Sequence, residues 1–142
     1  RQDFLFMSRM VNSSNEVVGT SLSGSKIGGD IDNTIILFPD PMGATGGSII
    51  KAIDEYKSNI QGSAKAFICL CLIVTPEFIQ AMQTKHPDAI IYAIRLDRGL
   101  SASKILGSIP GTYPNDEHGL NNTQYIVPGA GGLGEVLNNS YV

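Results

Sequence analysis

Long apolar runs are missing from this sequence. The longest, Ala66 to Val74, has 9 residues, against the roughly 20 a helix needs to cross a bilayer, which excludes a transmembrane helix; no membrane partner is expected. Charge is scarce as well: 16% of residues are Asp, Glu, Lys or Arg, and the formal net charge is -3. Together with 42% hydrophobic residues, that balance excludes a basic nucleic-acid-binding arm and a disordered acidic chain. Cysteine is limited to Cys69 and Cys71. They stand two apart in the most apolar segment, so on a strand they point to one face and are too close for an ordinary disulfide. Buried reduced thiols are expected. Neither His86 nor His118 lies near them in sequence, so no zinc site is expected. The compartment expected is the cytoplasm, since the glycosylation-type triplets at Asn12, Asn121 and Asn138 arise by chance in Asn-rich loops. No basic-then-apolar leader opens the chain, which starts at Arg1 rather than Met. The expectation is that a leader was removed or that the chain is part of a longer polypeptide.

What is present suits one domain over residues 1–142. Phe4 to Val11 reads as a strand, the Asn12-Ser13-Ser14-Asn15 cluster as a turn, and Val17-Val18 as the start of a returning strand. Residues 19–30, dense in Gly and Ser and without periodicity, read as a loop. Beyond Thr34 the pattern becomes regular. Ile35-Ile36-Leu37-Phe38 is a short apolar strand, and from Gly46 a helix carries Ile49, Ile50, Ile53 and Tyr56 on one face. Ala66 to Val74 is a second strand. Thr75, Pro76 and Glu77 then supply the cap, first-turn proline and early carboxylate of a helix reaching about His86. Residues 89–96 form a third strand, 101–106 a short helix, 107–123 an irregular connection, and Tyr125-Ile126-Val127 a fourth strand. Apolar strands alternating with helices predict an α/β fold, a parallel sheet buried on both faces and flanked by helices, with an N-terminal β-hairpin arm.

In such sheets ligands bind beyond the carboxyl ends of the strands. The loop after Phe38 reads Pro39-Asp40-Pro41-Met42-Gly43-Ala44-Thr45-Gly46-Gly47-Ser48. Small residues leading into a helix let backbone N–H groups approach phosphate oxygens, and the Thr45 and Ser48 hydroxyls add donors. The lone carboxylate, Asp40, can accept hydrogen bonds from sugar hydroxyls beside that cradle. The bland alternative is a tight turn with Thr45 capping the helix. Other phosphate motifs fail: Ser25-Lys26 reverses the Walker order. After the literal G-x-G-x-x-G at residues 129–134 only eight residues remain in this sequence, too few for a crossover helix and second strand. Those glycines can instead bring backbone donors and acceptors close to a flat ligand edge. Asp97-Arg98-Gly99, after the third strand, favours an ion pair or a hydrogen-bonded loop over catalysis.

The sequence resembles the type I phosphoribosyltransferases, and within them the uracil phosphoribosyltransferase family. The likeness rests on the run Asp40 to Ser48, on His86-Pro87-Asp88 before an apolar strand, and on Tyr125-Ile126-Val127-Pro128-Gly129, in that order. It spans about residue 30 onward, apart from the longer connection at 107–123. The resemblance implies transfer of the phosphoribosyl group of phosphoribosyl pyrophosphate to uracil or a related base, yielding uridine monophosphate and pyrophosphate in pyrimidine salvage. By resemblance, Asp40 is the catalytic group on the ribose hydroxyls. Pro41, Met42, Gly43, Ala44, Thr45, Gly46, Gly47 and Ser48 line the sugar-phosphate site, joined by Gly132. Arg9, beside an arm at residues 9–30, would meet the pyrophosphate. Ile126, Gly131, Gly132 and Leu133 would offer backbone groups to the base, Mg2+ would ride on the pyrophosphate, and a homodimer is implied. Three departures stand out. Gly131-Gly132-Leu133-Gly134-Glu135-Val136 replaces the family's Gly-Asp-Ala-Gly-Asp-Arg. Gly43 replaces a Leu, which reads as added flexibility. Nothing corresponds to a long N-terminal part of the family. They keep a second function open, a phosphoribosyl- or nucleotide-binding regulatory homologue with impaired turnover.

Overall fold

The computed structural model describes residues 1–13 and 17–129. Its centre is a parallel sheet built from β3 (Ile35–Pro39), β4 (Met42–Gly43), β5 (Ala66–Val74) and β6 (Ile90–Leu96). β5 is the middle strand, with β3 and β4 along one side and β6 along the other. Ile35 pairs with Ala66, Pro39 with Leu70, Met42 with Ile73 and Gly43 with Val74, so β3 and β4 keep one unbroken register on β5. Between them the ladder continues through the backbone of Asp40, whose N–H donates to Leu70 O at 3.1 Å, and of Pro41, whose carbonyl accepts from Ile73 N–H at 3.1 Å.

Two helices lie on the sheet. α1 (Gly47–Asn59) joins β4 to β5 and α2 (Pro76–Lys85) joins β5 to β6. Ile49, Ile53 and Tyr56 of α1 and Phe78 and Met82 of α2 share one buried cluster with Phe67, Cys69, Cys71 and Val74 of β5. Burying these side chains removes roughly 1.5 to 3 kcal/mol of unfavourable hydration for each large aliphatic or aromatic group. The α/β class and the flanking helices are as expected; coverage of both faces is not. Among the described residues the opposite face leaves large side chains in the open, with Leu72 52% and Ile94 81% exposed and Ile35, Leu37, Leu70 and Tyr92 beside them. The strands follow one another across the sheet in chain order, and right-handed crossovers then put both helices on the same side. An unbroken apolar run does not reveal that.

β1 (Phe4–Val11) and β2 (Val17–Lys26) form an antiparallel hairpin in which Phe4 faces Lys26 and Arg9 faces Thr20. Most of residues 19–30 is therefore strand rather than loop. Its Ser, Thr and Gly side chains carry no apolar alternation, so the period-2 signal of a strand is missing. Asp3, just before the hairpin, accepts from the Tyr56 hydroxyl at 2.9 Å and from Gly28 N–H at 3.1 Å, which ties the hairpin's open end to α1. A short α3 (Ser103–Leu106) follows β6. Residues 125–127 do not form a fourth sheet strand; they contribute one isolated antiparallel bridge, Leu120 with Ile126.

Cys69 and Cys71 are free thiols on the helix-covered face. Burial first, and the Asp40 carboxylate second, push Cys69 up to about 11 and Cys71 to about 12. Alkylation at about pH 8 should therefore label neither thiol in the native protein and both after denaturation; mass spectrometry of the two samples checks it. Labelling of the folded chain at either position would contradict this packing.

Candidate functional site

The carboxyl ends of β4 and β5 and the connection after β6 enclose a cavity of about 510 Å³ lined by Thr45, Glu77, Leu120, Asn121, Asn122 and Gln124. Thr45 contributes to one wall, and the loop it belongs to runs from Asp40 into α1. Asp40 is half-buried and its Oδ1 accepts from Met42 N–H at 3.0 Å. This Asx-type contact holds the carboxylate against the chain as the strand runs out. Asp40 stands inside the ladder, one residue beyond β3, rather than at a free strand tip.

Gly46 takes φ +80, a left-handed conformation that turns the chain into α1 and that a side chain would strain. It also caps nothing: α1 has no side-chain N-cap hydrogen bond, and Thr45 Oγ1 takes only a long contact from Gly47 N–H at 3.4 Å. The first N–H groups of α1, with the positive end of its dipole, thus face the Thr45 side of the loop without the usual capping oxygen, an arrangement suited to an anion. Ser48 is exposed on the first turn. Gly43 acts otherwise than expected. A Cβ there would lie 2.9 Å from Val74 Cγ1 and 3.0 Å from Phe78 Cδ2, so close packing, rather than flexibility, explains the glycine.

Thr75 ties this wall to α2. Fully buried between β5 and α2, it accepts from Phe78 N–H at 3.0 Å as the helix cap and donates to Ala44 O at 2.6 Å. Thr75→Val leaves one buried donor and one buried acceptor unpaired and should cost about 2 to 3 kcal/mol by urea denaturation, while Thr75→Ser should cost less than half of that.

The other wall was not foreseen as part of the site. Glu77, expected only to complement the α2 dipole, also accepts from Gly119 N–H at 3.1 Å and Leu120 N–H at 3.4 Å. It pins the far end of the long connection beside Thr45. Asn121 Oδ1 accepts from the N–H groups of Thr123 and Tyr125, shaping the turn that presents Asn122 and Gln124 to the cavity. An Asn-Asn-Thr-Gln stretch in an irregular segment carries the Asx-turn signal, yet nothing local to it names the cavity.

The bridge of Leu120 and Ile126 is the non-hydrogen-bonded kind. Asn121 N–H donates to Tyr125 O and Val127 N–H to Gly119 O, so the backbone groups of the bridged pair itself point away from the bridge. Ile126 is thereby placed to offer its N–H and carbonyl outward while its side chain is buried. Thr20 of β2 reaches the cradle: its Oγ1 would stand 3.1 Å from a Cβ on Gly47. Arg9 is its register partner across the hairpin, which places the Arg9 position one strand away from the start of α1. Gly131, Gly132 and Leu133 lie outside the described residues.

A family model described as uracil phosphoribosyltransferase matches residues 8–112. The chain belongs to the uracil phosphoribosyltransferase family. Relatives so named include those of Geobacillus kaustophilus at 37% identity, Streptococcus agalactiae serotype III at 39% and Lactococcus lactis subsp. cremoris at 38%. Each is matched over 112 residues, 79% of this chain and 43% of the relative. The chain thus spans less than half the length of these relatives. A solved structure of the AQ2163 protein from Aquifex aeolicus shares the fold, with a TM-score of 0.70 over 95% of this chain and 51% of that one, at 23% identity.

The remaining sequence motifs have structural roles in this family member. His86 is buried and its Nε2 lies 3.1 Å from Asp54 Oδ1. Asp88 receives Lys57 Nζ at 2.8 Å, and that hydrogen bond, helped by the Asp88 backbone N–H and opposed by partial burial, holds its carboxyl below the usual carboxylate range. Arg98 forms the ion pair expected of it, with Glu117 at 2.9 Å.

Proposed function

We propose that this family member transfers the phosphoribosyl group of phosphoribosyl pyrophosphate to uracil or a related base, releasing pyrophosphate and forming uridine monophosphate. The observation that carries the reading is the wall from Asp40 to α1: a carboxylate fixed in the strand ladder beside an uncapped helix start behind a left-handed Gly46. In this reading the N–H groups at the start of α1, with Thr45 and Ser48, take the 5-phosphate. Asp40 accepts from the ribose hydroxyls and faces the positive charge that develops on the sugar as the bond to pyrophosphate loosens. Ile126 offers its N–H and carbonyl to the complementary edge of the pyrimidine. Gly131, Gly132 and Leu133 belong to the base side, and Gly132 also to the pyrophosphate side.

Magnesium fits as an ion carried by the substrate. Pyrophosphate oxygens suit a hard cation, and among the described residues no group of three or more His, Cys, Asp or Glu side chains forms a protein cage. When bound it neutralises charge on the leaving group. Arg9, on the hairpin next to the cradle, is assigned to the same pyrophosphate. A cytoplasmic homodimer acting in pyrimidine salvage completes the proposal.

The test is formation of uridine monophosphate from uracil, phosphoribosyl pyrophosphate and magnesium by the complete native polypeptide. Product formation supports the transferase. Binding of phosphoribosyl pyrophosphate without product from uracil or other pyrimidines selects the regulatory, nucleotide-binding homologue instead, a reading favoured by the Gly132 and Val136 departures from the family motif.

A further inference from the structure

We propose that Asp97 is a positioning residue for the base side of the site: its buried carboxylate holds the turn at residues 126–129 so that the N–H and carbonyl of Ile126 face the base. This rests on the transferase reading and deepens it.

Asp97 directly follows β6 and is 1% exposed. Its own N–H donates to Val74 O at 2.8 Å, so its backbone is anchored to the central strand. Its Oδ2 accepts from Gly129 N–H at 2.7 Å, and its Oδ1 takes the Arg95 guanidinium. The Arg95 side chain is 60% exposed, so this is not a closed buried ion pair. Among the described residues, the sheltered partner of the carboxylate is the main-chain N–H of Gly129 at the end of the base-side turn. A charged acceptor makes a stronger hydrogen bond than a neutral one, which suits a point that must not drift.

The surrounding backbone confirms how tightly this point is fitted. A Cβ on Gly99 would lie 2.6 Å from Val127 O and 2.8 Å from Pro128 Cδ, while Gly99 N–H donates to Val127 O at 2.8 Å. A Cβ on Gly119 would lie 2.2 Å from Asp97 O. Gly129 has φ +51, and a Cβ there would lie 2.4 Å from Ile126 O. Residues 97–99 are thus a floor on which the two halves of the Leu120–Ile126 bridge rest, and Asp97 is the side chain that reaches up from it. The hydrogen bond to Gly129 fixes the direction of the peptide groups just after Ile126. A misplacement of about 1 Å at a positioning group costs on the order of 100-fold in rate or affinity terms.

The experiment compares Asp97→Asn, which keeps one acceptor oxygen, and Asp97→Ala, which keeps none, in steady-state kinetics and in amide hydrogen exchange at residues 126–129. The expected result is a graded rise in KM for uracil, about tenfold or more for Ala and smaller for Asn, with kcat and KM for phosphoribosyl pyrophosphate within about twofold of wild type. Exchange at 126–129 should rise in the same order. Equal rises in both KM values together with a loss of Tm would overturn the proposal in favour of a general structural role, as would unchanged exchange at the turn. Exchange is read whether or not the protein makes product. A wild type that forms no uridine monophosphate but shows faster exchange in Asp97→Ala defeats the transferase reading and leaves the pin supported.

Discussion

Asp40→Asn should lower kcat/KM for uridine monophosphate formation on the order of 100-fold or more while leaving Tm within a few degrees of wild type. The reason lies in what the substitution keeps and what it removes. Asn retains the shape and one oxygen able to accept from Met42 N–H, the contact at 3.0 Å, so the ladder between β3 and β4 survives. It removes the negative charge that, in the proposed reaction, stands opposite the developing oxocarbenium-like sugar, and the ability to accept from two hydroxyls without offering a donor. A second reading is independent of turnover. The Asp40 charge contributes to the raised pKa values of Cys69 and Cys71, after burial. With the charge gone both thiols should ionise at lower pH than in wild type, though still above an exposed thiol. A thiolate absorbance titration checks the direction. Normal turnover by the variant would remove Asp40 from the site, and an unchanged thiol titration would place the carboxylate elsewhere than beside β5.

Removing Glu117 should be strongly destabilising, at about 3 to 5 kcal/mol for Glu117→Ala. Arg98 and Glu117 are both buried, and their ion pair is the centre of the connection after β6. Arg98 also donates to Ile105 O at 3.0 Å, Leu106 O at 3.4 Å, Ser108 Oγ at 3.3 Å and Ser108 O, and Glu117 accepts from Gly111 N–H at 2.9 Å. Taking away the carboxylate leaves a guanidinium in a water-poor setting with neutral acceptors alone, three carbonyls and the Ser108 hydroxyl, and leaves Gly111 N–H without its acceptor. The double variant Arg98→Met, Glu117→Leu should lose less than Glu117→Ala, because no uncompensated charge remains. Urea denaturation of the three proteins tests the ordering. If Glu117→Ala cost no more than an ordinary surface substitution, the connection would not be organised around this pair.

Much of this site could be read before any coordinates. The strand, the helix start and the Thr75-Pro76-Glu77 cap are written in neighbouring residues and appear where they were expected, while the small-residue segment between strand and helix also carries the short strand β4, which was read as loop. The reduced, buried thiols followed from two cysteines on one face of an apolar strand. The Asp97-Arg98-Gly99 segment was correctly placed in hydrogen bonding and ion pairing. It did not say that Asp97 would reach Gly129 or that Arg98 would gather four backbone and side-chain acceptors around α3.

Three features escaped for stated physical reasons. The returning hairpin strand to Lys26 has polar side chains and little apolar alternation, so it looked like a loop. Residues 125–127 are apolar and β-branched enough for a strand, but their partner is the neighbouring turn and not the sheet, so they make one bridge only. The sheet face left open among the described residues follows from crossover handedness acting on three strands in chain order, a property of the arrangement and not of any one strand.

Local chemistry, then, sufficed for the conformation of the loop into α1: the contacts of Asp40, Gly46 and the start of α1 lie within a few residues of one another, and the steric and hydrogen-bonding rules that shape them act at that range. Tertiary structure decided the opposite wall. Glu77 meets Gly119 across 42 residues and Asp97 meets Gly129 across 32. No local propensity encodes such pairs, because they exist only once the parallel sheet has brought the ends of β5 and β6 side by side and the connection has folded back over them.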